Sequence, residues 1–285
     1  MYKDRHNVAD FIERSNSVVA VWVEEARGST PRNTGAWMLV SREEIFRTIG
    51  GGSLEYMAID KARALLKNLG DGETLSIPLG PEIGQCCGGH VRLKLERLSA
   101  EGTALFISRV ERELSSHTDV YVFGAGHVGN ALIESLSLLP VHPVLVDTRA
   151  LELAAAPCDT DTRLVAVPED VVRSARPGSA FIILTHDHSL DFLIATEALN
   201  RRDASYVGMI GSKTKRAVFS RWFHQQTGSS AELENLVCPI GKTTVKDKRP
   251  EVIASFVAVE VMECLVNFNQ PKPSLHISRA AQEDA

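Results

Sequence analysis

The sequence contains few cysteines, and their spacing excludes two common uses of thiols. Five cysteines occur in 285 residues, and no two of them form a CxxC pair. An odd number without regular spacing predicts neither a disulfide framework nor a zinc site. We therefore expect free thiols in a reducing compartment. The cysteines are Cys86, Cys87, Cys158, Cys238 and Cys264.

The chain also lacks long apolar runs and an excess of positive charge. Residues 1–16 carry charges throughout, unlike a signal peptide, and no later stretch is apolar enough to cross a bilayer. The net charge is -5, whereas nucleic-acid binding favours strongly basic domains. We expect a cytoplasmic protein with neither a membrane nor a nucleic-acid partner.

The length and patterning predict two domains. The first, residues 1–108, has short apolar or alternating runs that predict a small strand-rich α+β domain. These runs are SVVAVWVEE, AWMLV, ETLSI, HVRLKLERL and TALFIS. A helix is predicted over residues 54–70, ending at Gly70. Its apolar face would consist of Tyr56, Ile59, Ala62, Leu66 and Leu69. Residues 109–118, which are polar and charged, are interpreted as a linker.

The second domain, residues 119–270, alternates apolar strands with helices. This pattern is typical of a doubly wound, Rossmann-like parallel sheet with helices on both faces. Residues 271–285 are interpreted as a tail. The fold class is therefore predicted to be α/β, with a carboxy-terminal Rossmann-like sheet preceded by a smaller strand-rich α+β domain.

A glycine loop lies between the first strand and helix of this second domain. Gly124, Gly126 and Gly129 form a GxGxxG-type pattern, and Asp147 ends the next strand. Such loops bind phosphate at a helix N-terminus, and an acidic residue at this place grips a ribose hydroxyl. His127 lies inside the loop, where it could add positive charge or simply pack locally.

Other polar groups follow later strands, where ligands of parallel sheets bind. Lys213 and Arg216 could make a second anion contact, or be a solvated helix face. His186 and His188 flank Asp187, and N-capping by Asp187 or Ser189 is favoured over a metal site.

Three amino-terminal stretches are richer in glycine and polar residues than a fold alone requires: RGSTPR, TIGGGSLEY and LGPEIGQCCGG. Ser53 could cap the following helix, and Glu55 lies in its first turn. Cys86 and Cys87 have glycines close on either side. From their chemistry alone, soft metal ligation and burial as small apolar residues are equally compatible with the pattern.

The chain resembles the XdhC/CoxI family from about Val18 to about Val266. The resemblance is carried by six motifs that occur in the family's order: GSTPR, IGGGSLE, LGPxxGQCCGG, FGAGHVG, THDHSLD and VGMIGSKTKR. The resemblance implies an accessory protein rather than an enzyme. Such a protein would be a homodimeric chaperone that binds the molybdenum cofactor while a cysteine desulfurase sulfurates it, and then delivers it to apo-xanthine dehydrogenase.

This resemblance assigns expected roles to the motifs. The glycine loop with His127, Lys213 and Arg216 would bind the cofactor's phosphate or a nucleotide, the latter with Asp147. Cys86 and Cys87 would be soft ligands near the molybdenum. Gln85 and Glu55 would hydrogen-bond the pterin edge.

An alternative of another class is an NAD(P)-dependent oxidoreductase that uses the same glycine loop and Asp147, with His186 as proton donor. The sequence contains no recognisable Tyr-x-x-x-Lys dyad, and this hypothesis leaves the amino-terminal motifs without a role. A scaffold without a ligand would leave the glycine loops unexplained.

Overall fold

The computed structural model describes residues 2–81, 88–227 and 231–269. The chain divides into two compact units, residues 2–116 and the residues from His117 onwards. Each unit has its own sheet and its own hydrophobic cores. No helix in the described ranges is long and apolar enough to cross a membrane.

The amino-terminal unit is an antiparallel sheet of five strands in the order β3-β2-β1-β5-β4, with helices on both faces. Alternation along β1 explains the two layers, because Val19, Val21 and Val23 face α2 whereas Ala20 and Trp22 face α1 and α3. The elements are α1 (Tyr2–Arg14), β1 (Val19–Arg27), β2 (Trp37–Val40), β3 (Ile45–Arg47), α2 (Gly52–Asn68), β4 (Gly72–Pro78), β5 (His90–Arg97) and α3 (Ala100–Ser115).

The strand predicted for TALFIS is wrong, because these residues belong to α3. Ser99 caps this helix by accepting a hydrogen bond from the Gly102 N–H at 3.0 Å. Phe106 and Val110, four residues apart, bury one face of it. A short apolar run does not distinguish a strand from a helix segment. The helix continues to Ser115, so residues 109–115 are helical and not a linker.

Helix α2 forms where the sequence predicts it, but its buried face differs. Tyr56 is 71% exposed and Leu69 is 69% exposed, while Leu54 and Ala58 take their places in the core. Leu69 adopts the left-handed conformation that ends the helix, with a φ of 56°. The Gly70 N–H donates to the Leu65 carbonyl at 3.1 Å, as in a helix C-terminal motif.

The carboxy-terminal unit is a parallel sheet of six strands in the order β11-β10-β9-β6-β7-β8, covered on both faces. The predicted α/β fold class is thereby confirmed. The strands are β6 (Thr118–Phe123), β7 (Val141–Asp147), β8 (Asp161–Leu164), β9 (Ala180–Ile183), β10 (Tyr206–Met209) and β11 (Leu236–Val237). The helices are α4 (His127–Ser137), α5 (Ala150–Leu153), α6 (Pro168–Ser174), α7 (His188–Arg201), α8 (Lys213–Thr227), a 3-10 helix (Ala231–Asn235) and α9 (Pro250–Asn269).

The strand order places a topological switch point between β6 and β9. From β6 the chain proceeds through β7 to β8 on one side, then returns to β9 on the other side of β6. Loops diverge at such a point and leave a crevice at the carboxyl ends of the strands. The loop after β6 contains the three glycines.

Candidate functional site

Two glycines of this loop are required by close packing. A Cβ on Gly124 would lie 2.4 Å from the Leu184 carbonyl oxygen, and Gly124 has a φ of 119°. A Cβ on Gly129 would lie 1.9 Å from the Gly124 carbonyl oxygen. The loop is therefore pressed between the end of β9 and the start of α4, and neither position tolerates a side chain.

Gly126 has a different environment, because a Cβ there would meet no atom within 4 Å among the described residues other than its two chain neighbours. It is the N-cap residue of α4, and no side chain in the described part of the chain accepts a capping hydrogen bond from this helix. The helix N-terminus therefore has uncapped N–H groups and the positive end of its dipole next to open space. His127, the first residue of α4, is exposed beside it.

Asn130 supports the polar character of this loop. Its Nδ2 donates to the Ala125 carbonyl at 3.2 Å, whereas its buried Oδ1 has no hydrogen-bond partner among the residues that the structure describes. A buried acceptor without a partner is uncommon and calls for a missing donor. The open space at Gly126 and the uncapped helix N-terminus fit an anionic ligand, whereas the Asn130 oxygen would need a donor and does not add to that fit.

Asp147 ends β7 as predicted, but its carboxylate is fully engaged within the protein. Oδ2 accepts hydrogen bonds from the Ala125 N–H at 2.7 Å and Arg149 Nη2 at 2.9 Å. Oδ1 accepts from the Arg149 N–H at 2.9 Å and Arg149 Nε at 3.0 Å. Burial raises the pKa of Asp147, but the hydrogen bonds from Arg149 and Ala125 outweigh it and hold the pKa below its usual range. Asp147 therefore anchors the glycine loop.

The two predicted cationic contacts after β10 differ in their surroundings. Lys213 is exposed at the first position of α8. Arg216 instead donates to the carbonyls of Leu236 at 2.5 Å and Leu233 at 3.3 Å. Its guanidinium thus fixes the segment that leads into β11, which leaves Lys213 as the freer of the two for an anion.

A buried ion pair lies at the carboxyl ends of β9 and β10. Lys215 Nζ donates to Asp191 Oδ2 at 2.5 Å and to the Ile210 carbonyl at 2.9 Å. The Asp191 side chain is 0% exposed and that of Lys215 is 9% exposed. Asp191 Oδ1 also accepts from the N–H of Thr185 at 3.0 Å and from its hydroxyl at 2.7 Å.

This pair joins the turn after β9 to the turn after β10. A Cβ on Gly124 would lie 3.1 Å from the Thr185 Cα, so the pair supports a turn that packs against the glycine loop. Sequence reasoning missed the pair, because no local spacing indicates a partner 24 residues away.

The predicted N-cap of α7 is confirmed. Asp187 Oδ1 accepts a hydrogen bond from the Ser189 N–H at 2.7 Å. His186 and His188 are exposed on either side of it. Across the described ranges, no group of three or more His, Cys, Asp or Glu side chains is arranged to hold a metal ion.

The glycine triplet of the amino-terminal unit forms a backbone concavity that the chain fills itself. Gly50, Gly51 and Gly52 all have positive φ, at 128°, 75° and 65°. The Glu55 carboxylate accepts from the N–H groups of Ile49 at 3.0 Å and Gly51 at 3.1 Å, and from the Thr48 hydroxyl.

Two predictions at this helix start are affected. Helix α2 begins at Gly52 with Gly51 as its N-cap, so the predicted capping by Ser53 is wrong. The Glu55 carboxylate is occupied by the loop, and its predicted contact to a pterin edge stays a prediction.

The amino-terminal motifs meet in space. A Cβ on Gly50 would lie 2.4 Å from the Pro31 Cβ, and one on Gly89 would lie 2.2 Å from the Ser29 carbonyl oxygen. The RGSTPR stretch therefore contacts both the IGGGSLE and the GGH stretches.

The predicted cofactor ligands Gln85, Cys86 and Cys87 lie outside the described residues. The three other cysteines are free thiols, as predicted. Burial raises the pKa of the Cys238 thiol, which makes it a poor nucleophile and metal ligand, while Cys158 is exposed.

The fold and the glycine loop define a Rossmann-type protein with an additional antiparallel unit. Two family models match the sequence: the XdhC and CoxI family over residues 11–77, and the XdhC Rossmann domain over residues 120–261. The chain belongs to the XdhC/CoxI family.

Two known proteins are similar to the chain. The chain is 23% identical over 251 residues to the uncharacterized protein YqeB of Escherichia coli strain K12. That match covers 85% of this chain but only 42% of YqeB. The crystal structure of a xanthine dehydrogenase from Bacillus halodurans superposes with a TM-score of 0.77, covering 95% of this chain and 98% of that one. Its sequence identity is 19%, so this likeness concerns the fold.

Proposed function

We propose that this protein is a chaperone for the molybdenum cofactor. It binds the cofactor while a cysteine desulfurase sulfurates it, and delivers it to apo-xanthine dehydrogenase as a cytoplasmic homodimeric accessory protein. Membership of the XdhC/CoxI family supports the accessory role. The xanthine dehydrogenase named for the Bacillus halodurans structure is consistent with the proposed partner.

The observation that carries the proposal is the open space at Gly126, where a Cβ would lie more than 4 Å from every described residue other than its chain neighbours, at the uncapped N-terminus of α4. The cofactor carries a phosphate, and a helix N-terminus with nearby cations binds such a group. His127 and Lys213 are the exposed side chains that would assist. When bound, the cofactor supplies a dithiolene-held molybdenum, which suits thiolate contacts. Cys86 and Cys87 are the predicted contacts, on the evidence of the sequence alone.

The alternative, an NAD(P)-dependent oxidoreductase, would use the same loop. Against an NAD-type function stands the Asp147 carboxylate, whose oxygens accept four hydrogen bonds from Ala125 and Arg149. An ionised carboxylate has about four lone-pair sites, so no acceptor is left for a ribose hydroxyl. Arg149, however, would suit a phosphorylated ribose, and NADP(H) therefore belongs in the test.

The experiment is anaerobic incubation of the purified chain with molybdenum cofactor and, separately, with NAD(H) or NADP(H). Co-elution on gel filtration and reconstitution of apo-xanthine dehydrogenase are measured. The proposal expects cofactor retention and reconstitution. Turnover of a nicotinamide nucleotide without cofactor retention would contradict it.

A Gly126→Ala variant tests the site itself. The added methyl group enters the space that the phosphate would occupy, so we expect about tenfold weaker cofactor retention, equivalent to about 1.4 kcal/mol. The urea midpoint should fall only slightly, because alanine is a poorer N-cap residue than glycine. Gly102→Ala is the matched control, since a Cβ there makes only ordinary contacts in α3. Equal retention by Gly126→Ala and the control would rule out this loop as the phosphate site.

The thiols require separate variants. Cys86→Ala and Cys87→Ala, made singly, are expected to lower retention of the cofactor or of its terminal sulfur in at least one case. If both variants hold cofactor and reconstitute the enzyme like the parent, the proposed thiol contact is wrong.

A further inference from the structure

Arg149 lies at the end of β7, beside the glycine loop, and its hydrogen-bonding capacity is only partly used. Its Nε and Nη2 bind Asp147, and its Nη1 binds Glu152 Oε1 at 3.2 Å. A guanidinium has five N–H donors. One N–H on Nη1 and one on Nη2 therefore have no recorded partner in the described part of the chain. The side chain is 34% exposed, so it is accessible to a ligand.

The Asp147–Arg149 arrangement fixes this guanidinium rather than leaving it on a flexible stem. Nε and Nη2 bond to different carboxylate oxygens, at 3.0 and 2.9 Å, in a fork-to-fork pair. Asp147 in turn accepts from the Ala125 N–H at 2.7 Å. The orientation of Arg149 is thereby tied to the backbone of the glycine loop, within the same unit.

Glu152 is the group that now occupies the outer edge of the guanidinium. Its side chain is 43% exposed and lies on the four-residue helix α5. An ion pair this exposed is weak, so the carboxylate can turn into solvent at little cost. A phosphate dianion offers more acceptors and a higher charge than this carboxylate, and arginine binds phosphate in a bidentate manner.

We infer that the end of β7 is a phosphomonoester contact, in which Arg149 binds the phosphate and Glu152 is displaced by it, and not a ribose-diol contact. Asp147 positions Arg149 and does not touch the ligand. This inference deepens the proposed function and rests on its assignment of the ligand site to the crevice at the glycine loop. The same chemistry could come from the terminal phosphate of the cofactor or from a 2′-phosphorylated nucleotide.

Nucleotide probes test the contact without the cofactor. Isothermal titration is carried out with AMP, 2′-deoxy-AMP and adenosine 2′,5′-bisphosphate, which differ only at the 2′ position. We expect the bisphosphate to bind about tenfold more tightly than AMP, and AMP and 2′-deoxy-AMP to agree within about twofold. The inference is overturned if AMP binds as tightly as the bisphosphate, if removal of the 2′-hydroxyl weakens binding about tenfold, or if none of the three binds.

Variants assign the effect to named side chains. Arg149→Ala should abolish the preference for the bisphosphate, and because it frees acceptor sites on Asp147, AMP should then bind better than 2′-deoxy-AMP. Glu152→Gln should tighten bisphosphate binding severalfold, since the competing charge is removed. Arg173→Ala is the matched control, because it removes an arginine from an exposed pair with Asp170 on α6. A preference that survives Arg149→Ala, or that is lost equally in the control, contradicts the inference.

Arg149→Lys covers the case in which the alanine variant is unstable. It retains the charge but loses the planar fork, so the preference should fall while the urea midpoint stays near that of the parent.

Cofactor retention, measured on the same preparations, separates the two proposals. Retention of molybdenum cofactor without a 2′-phosphate preference would leave the proposed function standing and overturn this inference. A 2′-phosphate preference without cofactor retention would support this inference and contradict the proposed function. It would identify a phosphorylated nucleotide as the source of the phosphate.

Discussion

Removal of either member of the buried Asp191–Lys215 pair should destabilise the carboxy-terminal unit strongly. Asp191→Asn leaves the Lys215 ammonium buried without a negatively charged partner, because an amide and the Ile210 carbonyl are both neutral. Lys215→Met leaves the carboxylate buried but still bonded to the N–H and hydroxyl of Thr185. Loss of one partner of a buried pair costs about 3–5 kcal/mol. Because two hydrogen bonds from Thr185 still stabilise the buried Asp191 carboxylate, the free-energy cost of Lys215→Met should lie at the lower end of that range.

The Asp191→Asn/Lys215→Met double variant measures the coupling free energy between the two charges. With both charges removed, no group is left buried without a partner for its charge, so the double variant should be less destabilised than the sum of the single variants by about 1–3 kcal/mol. Urea unfolding followed by circular dichroism measures the free energies, and hydrogen exchange of β9 and β10 amides assigns the transition to this unit. Lys61→Met, which removes a lysine paired at 3.7 Å with Glu73 on the surface, is the control. Single variants within about 1 kcal/mol of the parent, or strictly additive costs, would refute the reasoning.

Two further predictions concern carboxylates in each unit. Burial raises the pKa of Asp119, but hydrogen bonds from His142 and Arg176 outweigh it and hold the pKa at about 2, below the ordinary 3.8. The lowered pKa contributes about 2 kcal/mol to the stability of the folded state above the ordinary pKa, and this contribution is lost as pH falls through about 2. Asp119→Asn should therefore flatten this part of the acid-unfolding curve. An unchanged curve would contradict the prediction. Glu55→Ala should cost about 1–3 kcal/mol in urea unfolding, because the Ile49 and Gly51 N–H groups lose their acceptor, whereas Glu73→Ala should have little effect.

The parts of the fold that local patterns determine could be predicted from the sequence. Fully apolar strands predicted the parallel sheet, and the Asp187 cap depends on a residue two positions away. The glycine loop was recognisable because its glycines and its strand–helix context are close in sequence. Each of these features depends on neighbours along the chain.

The parts that depend on distant partners could not be predicted. The TALFIS run became a helix because Phe106 packs against Trp22 and Trp37, at ring-centroid distances of 5.2 and 5.0 Å. The GxGxxG pattern predicts a ribose contact for Asp147, but the structure gives its acceptors to Arg149 and Ala125. Arg149 follows Asp147 by only two residues in the sequence, but the sequence does not show that its guanidinium turns back to bind the Asp147 carboxylate.

The two glycine-rich concavities of this chain differ in one respect that decides which of them can hold an external anion. In the amino-terminal unit the Glu55 carboxylate accepts hydrogen bonds from the Ile49 and Gly51 N–H groups. A negatively charged ligand would therefore have to displace the Glu55 side chain. At Gly126 no side chain caps α4, and Asp147, which accepts from the N–H of the preceding residue Ala125, is paired with Arg149. A phosphate therefore meets repulsion at the first site and an uncapped helix dipole at the second. Of the two glycine-rich loops, the one at Gly126 is therefore better suited to an external phosphate.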